Sequence, residues 1–199
     1  MGTLVMRQAP DFTTTAVMPD NGFNREFSLS ALRGRYVVLF FYPYDFSFVC
    51  PSEILAFDHR LEEFAKRECE VLGASVDSHF THLAWKETPV DDGGIGPIRF
   101  PLVADFSKKI ARDYGILVDD TVALRASFLI DREGVVRHAV INDLDLGRNI
   151  DEMLRTLDAL RFIDTHDEVC PANWEEGDET IQATPAGVKK YLQDFGVDL

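Results

Sequence analysis

Cys50 stands where chemistry is easiest to start. It follows a continuous apolar run, Tyr36 to Tyr42 (YVVLFFY), and a loop from Pro43 to Val49. Pro51 behind it suits the first turn of a helix, and Ile54, Phe57, Leu61 and Phe64 then recur at helical spacing. A sulfur at such a start meets unpaired N–H groups and the positive end of the helix dipole, and both favour an anion there. Ser47, three residues earlier, carries a hydroxyl that can donate to a thiolate and accept from an incoming O–H. Pro43 and Pro51 fence the loop and restrict its backbone. A free cysteine is more often a small buried hydrophobe. Here the serine, the two prolines and the helix start point instead to a nucleophilic sulfur. Cys170 lies in a tail punctuated by Pro171, Gly177, Pro185 and Gly187, free to be delivered to a sulfur on another body. Cys69 is expected to close the helix that precedes Val71 to Val76, as a structural thiol.

These groups need a scaffold, and the pattern around them predicts an α/β chain. Phe12 to Ala16 and Phe23 to Phe27 read as a hairpin around Pro19, Asp20, Asn21 and Gly22. The run from Tyr36 looks like a strand buried on both faces, hence central. A second strand follows at Val71 to Val76, and Ser78 caps a helix through Glu87. Leu102 to Ala104 is a short strand before a helix capped by Ser107. Arg125 to Ile130 and Val135 to Ile141 flank Asp131 to Gly134 as a second hairpin. Asn149 or Asp151 opens an amphipathic helix with Ile150, Leu154, Leu157, Leu160 and Phe162 on its buried side. Strands alternating with helices predict a central mixed sheet flanked by helices. We expect one domain over 1–165 and an arm over 166–199, with a short helix at Val188 to Phe195. Such an arm is poorly suited to build a core alone, so it should lie on its own domain or on a second subunit.

Composition narrows the function. The net charge of −14, from 20 basic against 34 acidic residues, opposes phosphate backbones and anionic lipid, so neither nucleic acid nor membrane is an expected partner. Three cysteines are too few and too odd in number for a secreted disulfide framework. With no secretory start and no apolar run of membrane length, a soluble cytoplasmic protein is expected. Five scattered histidines form no metal-ligand cluster with the cysteines, and His79 and His82 read as solvated or capping groups.

Phe41 to Glu53 (FYPYDFSFVCPSE) resembles the signature loop of typical two-cysteine peroxiredoxins, P-x-x-x-[TS]-x-x-C, members of the alkyl hydroperoxide reductase and thiol-specific antioxidant family. The likeness continues through Gly73 to Ser78, Trp85, Phe100 to Leu102, Phe128 to Asp131 and Val169 to Pro171. It implies a thioredoxin-like fold and a thiol peroxidase for hydrogen peroxide and alkyl hydroperoxides, with no metal, flavin or haem cofactor. On matching positions it carries over Cys50 as the peroxidatic cysteine, Pro43, Ser47 and Arg125 as its companions, and Glu53 and Arg148 as a supporting network. It makes Cys170 the resolving cysteine of a partner subunit, hence a homodimer, and often a ring of five dimers. With no C-x-x-C of its own, the chain would draw electrons from a thioredoxin-like protein or a flavoprotein disulfide reductase. Tyr44 stands where leucine is common, and Ser47 and Ser52 where threonine is common. Asp92 to Gly96 and Tyr191-Leu192 resemble motifs of members that overoxidise easily, which implies intermediate sensitivity. The same residues would also serve a peroxide sensor or redox relay, and the oligomer a holdase chaperone.

Overall fold

A computed structural model of the chain describes residues 2–196. It divides into two compact units, 1–150 and 151–199. The last residues of the expected arm, 197–199, lie outside the described residues.

In the first unit the elements are β1 (Thr13–Val17), β2 (Phe23–Ser28), β3 (Tyr36–Phe41), α1 (Cys50–His59), α2 (Leu61–Lys66), β4 (Cys69–Ser75), α3 (His79–Glu87), β5 (Leu102–Ala104), α4 (Lys109–Asp113), β6 (Leu117–Val118), β7 (Val122–Ala123), β8 (Arg125–Ile130) and β9 (Val136–Asn142). Seven strands form one sheet in the order β2-β1-β5-β4-β3-β8-β9. Strand β3 runs parallel to β4 and antiparallel to β8, so the sheet is mixed and β3 lies inside it. This is the mixed α/β sheet that the alternation of strands and helices predicts.

Every residue of β3 is buried, which explains its unbroken apolar run. Val37, Leu39 and Phe41 enter one cluster with Ile110, Tyr114, Phe128 and Ile130. On the opposite face Phe40 stacks on Phe57 of α1 at 4.2 Å between ring centroids and meets Phe100 edge-on at 5.6 Å. The strand therefore carries two cores at once. Its pairing also sets a register that matters below: Phe41, its last residue, is opposite Ala126. The start of β8 thus lies beside the end of β3.

Several local expectations are corrected. The helix expected to run from Cys50 through Phe64 breaks at Arg60, whose φ of −102° and ψ of 6° end α1. The break lets Phe57 and Phe64 meet at 5.9 Å across two short helices. Cys69 does not close a helix; it is the first residue of β4, paired with Tyr36. Helix α4 takes no cap bond from its own N-cap residue. The expected Ser107 does accept from the Lys109 N–H, at 3.3 Å, and the Asp105 carboxylate adds bonds from the backbone N–H of Ile110 and Ala111, at 3.1 and 2.7 Å. Ser78 does cap α3, accepting from the Thr81 N–H.

The second unit holds most of α5 (Ile150–Ile163), then β10 (Glu168–Val169), β11 (Ile181–Gln182) and α6 (Pro185–Phe195). Strands β10 and β11 make a small antiparallel ribbon. Helix α6 starts three residues before the expected Val188 because Thr184 caps it through the Gly187 N–H and Pro185 suits its first turn. Arg155 of α5 donates to the Trp174 carbonyl at 2.7 Å, and Phe162 lies 5.3 Å from the Trp174 ring. Among the described residues no helix is long and apolar enough to cross a membrane.

The glycine-rich segment after α3 is fastened rather than loose. Trp85 Nε1 donates to the Gly93 carbonyl, and the Gly96 N–H to that of Thr88. A Cβ on Gly94 would stand 1.9 Å from the Thr88 carbonyl oxygen. Gly94→Ala is therefore expected to lower stability by about 1–3 kcal/mol. The measurement is a urea titration, with a lower midpoint and an unchanged slope.

Candidate active site

The end of β3 releases the chain into the loop 42–49, and the loop returns it as the first turn of α1. Cys50 is the first residue of that helix, and Val49 before it offers no side-chain cap. In the first turn the Ser52 N–H returns to the Val49 carbonyl at 3.1 Å, so what the helix start offers the sulfur is the positive end of its dipole. Pro51 follows in the first turn, where a missing N–H costs nothing. Pro43, at the other end of the loop, is buried.

Two side chains reach the buried sulfur. Ser47 Oγ lies 2.7 Å from Cys50 Sγ and 2.8 Å from the Tyr44 carbonyl oxygen. One hydroxyl proton cannot serve both. It turns to the sulfur when that is an anion, and to the carbonyl when the sulfur keeps its own hydrogen and donates to Oγ. Arg125 Nη1 stands 3.2 Å from the same sulfur, brought there across 75 residues by the antiparallel pairing of β8 with β3.

Glu53, one helical turn beyond Cys50, holds the cation in place. Its Oε2 accepts from Arg125 Nη1 at 2.8 Å and Arg148 Nη2 at 2.9 Å. Its Oε1 accepts from Arg148 Nε at 2.8 Å and the Arg148 backbone N–H at 3.0 Å. Arg125 Nε is bound to the Leu144 carbonyl at 2.6 Å. Arg148 Nη1 donates to the carbonyls of Phe41 and Ala126, tying together the two strand ends. The three charged side chains are all at least nine-tenths buried. Two guanidinium groups face one carboxylate, so an ionised sulfur completes the charge balance and a neutral one leaves a buried positive charge.

The proton equilibria follow this arrangement. Burial resists ionisation of Glu53, yet the hydrogen bonds and charge of Arg148, joined by the charge of Arg125, outweigh it and hold the carboxyl below its ordinary value. Burial also opposes the charge of Arg125, but the hydrogen bond and charge of Cys50, with those of Glu53, raise its pKa further. Cys170 differs. Burial pushes its thiol up against the pull of Arg155, and its Sγ faces the Ala159 carbonyl at 3.8 Å, within the second unit. All three cysteines are free thiols.

Pro43, Ser47, Cys50, Glu53, Arg125 and Arg148 are thus gathered in the first unit, whereas Cys170 belongs to the second. Three further side chains, which the sequence pattern did not distinguish, are buried beside the sulfur's loop, Tyr42 and Asp45 within it and His82 on α3. Tyr42 donates to Asp45 Oδ1 at 2.9 Å, and His82 Nδ1 lies 2.7 Å from Asp45 Oδ2. His82 is fully buried, not solvated or capping, because it shares the inner face of α3 with Trp85 and Lys86. That i, i+3, i+4 spacing was the available signal. Among the described residues no group of three or more His, Cys, Asp or Glu could hold a metal ion.

A family model described as AhpC/TSA matches residues 5–139, and one described as the C-terminal domain of 1-Cys peroxiredoxin matches residues 159–194. Alkyl hydroperoxide reductase C of Helicobacter pylori strain J99 is 52% identical over 98% of this chain and 100% of its own length. Peroxiredoxin-1 of Gallus gallus is 53% identical over 94% of each chain. Among solved structures, the reduced 2-Cys peroxiredoxin of Plasmodium vivax resembles this chain with a TM-score of 0.95 at 48% identity, covering 96% of this chain and 100% of that one.

The buried Glu53 network generates a pH signature. A carboxyl whose folded pKa lies below its unfolded one stabilises fully above the unfolded value, and that contribution is lost as pH falls through the folded value. Wild type should therefore lose stability on the acid side of the ordinary carboxylate range, and Glu53→Gln should flatten that limb. Arg148→Met, which leaves Glu53 half-compensated, is expected to cost about 3–5 kcal/mol at neutral pH. Urea titrations across the acid range check both.

Proposed function

The chain belongs to the AhpC/TSA family and reduces peroxides through a thiol, and from that premise we propose that Cys50 is the sulfur that attacks. The observation that carries the assignment is the placing of one sulfur between a hydroxyl at 2.7 Å and a guanidinium at 3.2 Å, at an uncapped helix start. Cys50 attacks one oxygen of ROOH along the O–O axis. An S–O bond forms, the O–O bond breaks, and the departing oxygen takes a proton and leaves as alcohol or water. Arg125 and Ser47 stabilise the charge that spreads onto that oxygen. Glu53 and Arg148 keep Arg125 aimed. Pro43 shapes the entry to the loop.

Cys50 is then a sulfenic acid. Cys170 of a partner subunit attacks it, an S–S bond forms and water leaves. Keeping Cys170 protonated until then suits this order, since it does not compete for peroxide. Two electrons and two protons from a thioredoxin-like protein or a flavoprotein disulfide reductase return both thiols. The working unit is a homodimer, able to assemble as five dimers, and the cycle runs in the cytoplasm.

Stopped-flow and mass analysis test this scheme. Cys50→Ser is expected to abolish peroxide consumption, and Arg125→Met to slow Cys50 oxidation about 10²–10³-fold. After one equivalent of peroxide, non-reducing mass analysis should find Cys50 linked to Cys170 of another chain. Cys170→Ser should stop after one turnover, and a link within one chain would overturn the dimer.

A further inference from the structure

The reacting loop and α3 bring together a buried acid and base that peroxide chemistry does not use. Asp45 sits two residues before Ser47, its side chain fully enclosed. His82 projects from α3 and is equally buried. Its Nδ1 is 2.7 Å from Asp45 Oδ2, and its Nε2 is 3.2 Å from the Val103 carbonyl of β5. Asp45 Oδ1 takes the Tyr42 hydroxyl, and the Asp45 backbone N–H donates to Asp77 Oδ2, which Ser75 Oγ also binds.

The hydrogen count is constrained. A carbonyl oxygen only accepts, so Nε2 must carry hydrogen to bind Val103. Nδ1 and Oδ2 can then stay 2.7 Å apart only with one further proton between them. That proton sits on either partner, as imidazolium and carboxylate or as imidazole and carboxylic acid. Removing it sets lone pair against lone pair, or turns the ring's lone pair toward the Val103 carbonyl. Either way one of the two bonds is lost.

The loop needs such a hold. Phe46, between Asp45 and Ser47, has a φ of 53°, a left-handed conformation unfavourable to an aromatic residue. Its ring rests 5.7 Å from that of Trp85, which is three residues beyond His82 in the same helix. Helix α3 therefore grips the loop twice, and the bend between the two grips aims the Ser47 hydroxyl at Cys50.

We propose that His82 is a positioning residue for peroxide reduction, sharing one buried proton with Asp45 and thereby pinning the Ser47–Cys50 loop to α3 and β5. The groups that face the pair are few. Tyr42 comes from the end of β3, Asp77 follows β4, His79 lies on α3 itself, and β5 presents only its carbonyl. Burial raises the Asp45 carboxyl above its ordinary value despite His82, and Asp77 adds to the rise. Both effects favour the protonated form of the acid. As pH rises the pair loses its shared proton, the anchor weakens and the hydroxyl loses its aim.

This inference rests on the assignment of Cys50, so the experiment separates the two. The rate at which one equivalent of hydrogen peroxide oxidises Cys50 is followed by rapid quench and intact mass, from mildly acidic to alkaline pH. Wild type should show a falling alkaline limb. His82→Asn, folded by urea titration, should lose that limb and run about tenfold slower or worse at neutral pH, the cost of a misaimed group. Asp45→Asn, whose amide can donate to a neutral imidazole and accept from Tyr42, should keep most of the neutral rate and also lose the limb. In wild type a strongly downfield proton held between the two side chains should appear by NMR and vanish along the same limb. Absence of that proton at neutral pH overturns the proposal even where a variant does not fold. A slower variant with an unchanged limb also overturns it, because that marks a structural role alone. Persistent peroxide consumption by Cys50→Ser would instead overturn the assignment of Cys50, leaving the downfield proton in place.

Discussion

One buried carboxylate holds the reacting centre together. Glu53 accepts four hydrogen bonds from two arginines, and those arginines reach in turn to the sulfur, to the carbonyl of Leu144 and to the ends of two strands. Such a cluster is costly to desolvate and is tolerated because nearly every lone pair and proton in it finds a partner. What the chain gains is direction. A guanidinium bound on two sides cannot swing away when the sulfur changes charge, so the field at residue 50 is fixed in advance, as the proposed attack on an oxygen–oxygen bond requires.

Strand β3 and helix α1 supply the frame on which this depends. Phe40 and Phe41 point to opposite cores, which locks the strand end from both faces. The loop that follows cannot drift far, because its proline end is buried and its helix end is fixed by Ile54 and Phe57. Within these limits the loop still adopts a left-handed residue at Phe46, held by contacts with α3 rather than by its own preference. Positioning of the hydroxyl is thus a tertiary property of three elements, not a local turn.

The two thiols given successive roles are prepared differently. Cys50 is enclosed among donors and a cation, a setting that accepts negative charge. Cys170 is partly enclosed beside a carbonyl oxygen, a setting that resists it. Under the proposed assignment, this difference suits a second thiol that waits until a sulfenic acid exists.

Much of this is legible in the chain alone. The apolar run before Cys50, the prolines around its loop, Ser47 at three residues' distance and the alternation of strands and helices are local patterns, and local patterns follow from period and propensity. The roles of Arg125, Glu53 and Arg148 come from motif likeness, since nothing in their own neighbourhoods distinguishes them from surface charges. Their convergence is decided by the antiparallel register that sets Ala126 against Phe41, a pairing between distant segments that no window of sequence contains. The helix break at Arg60, the Asp105 cap and the burial of His82 escape a sequence reading for the same reason. Each depends on what packs against the element, and burial and hydrogen-bond satisfaction are properties of the assembled fold.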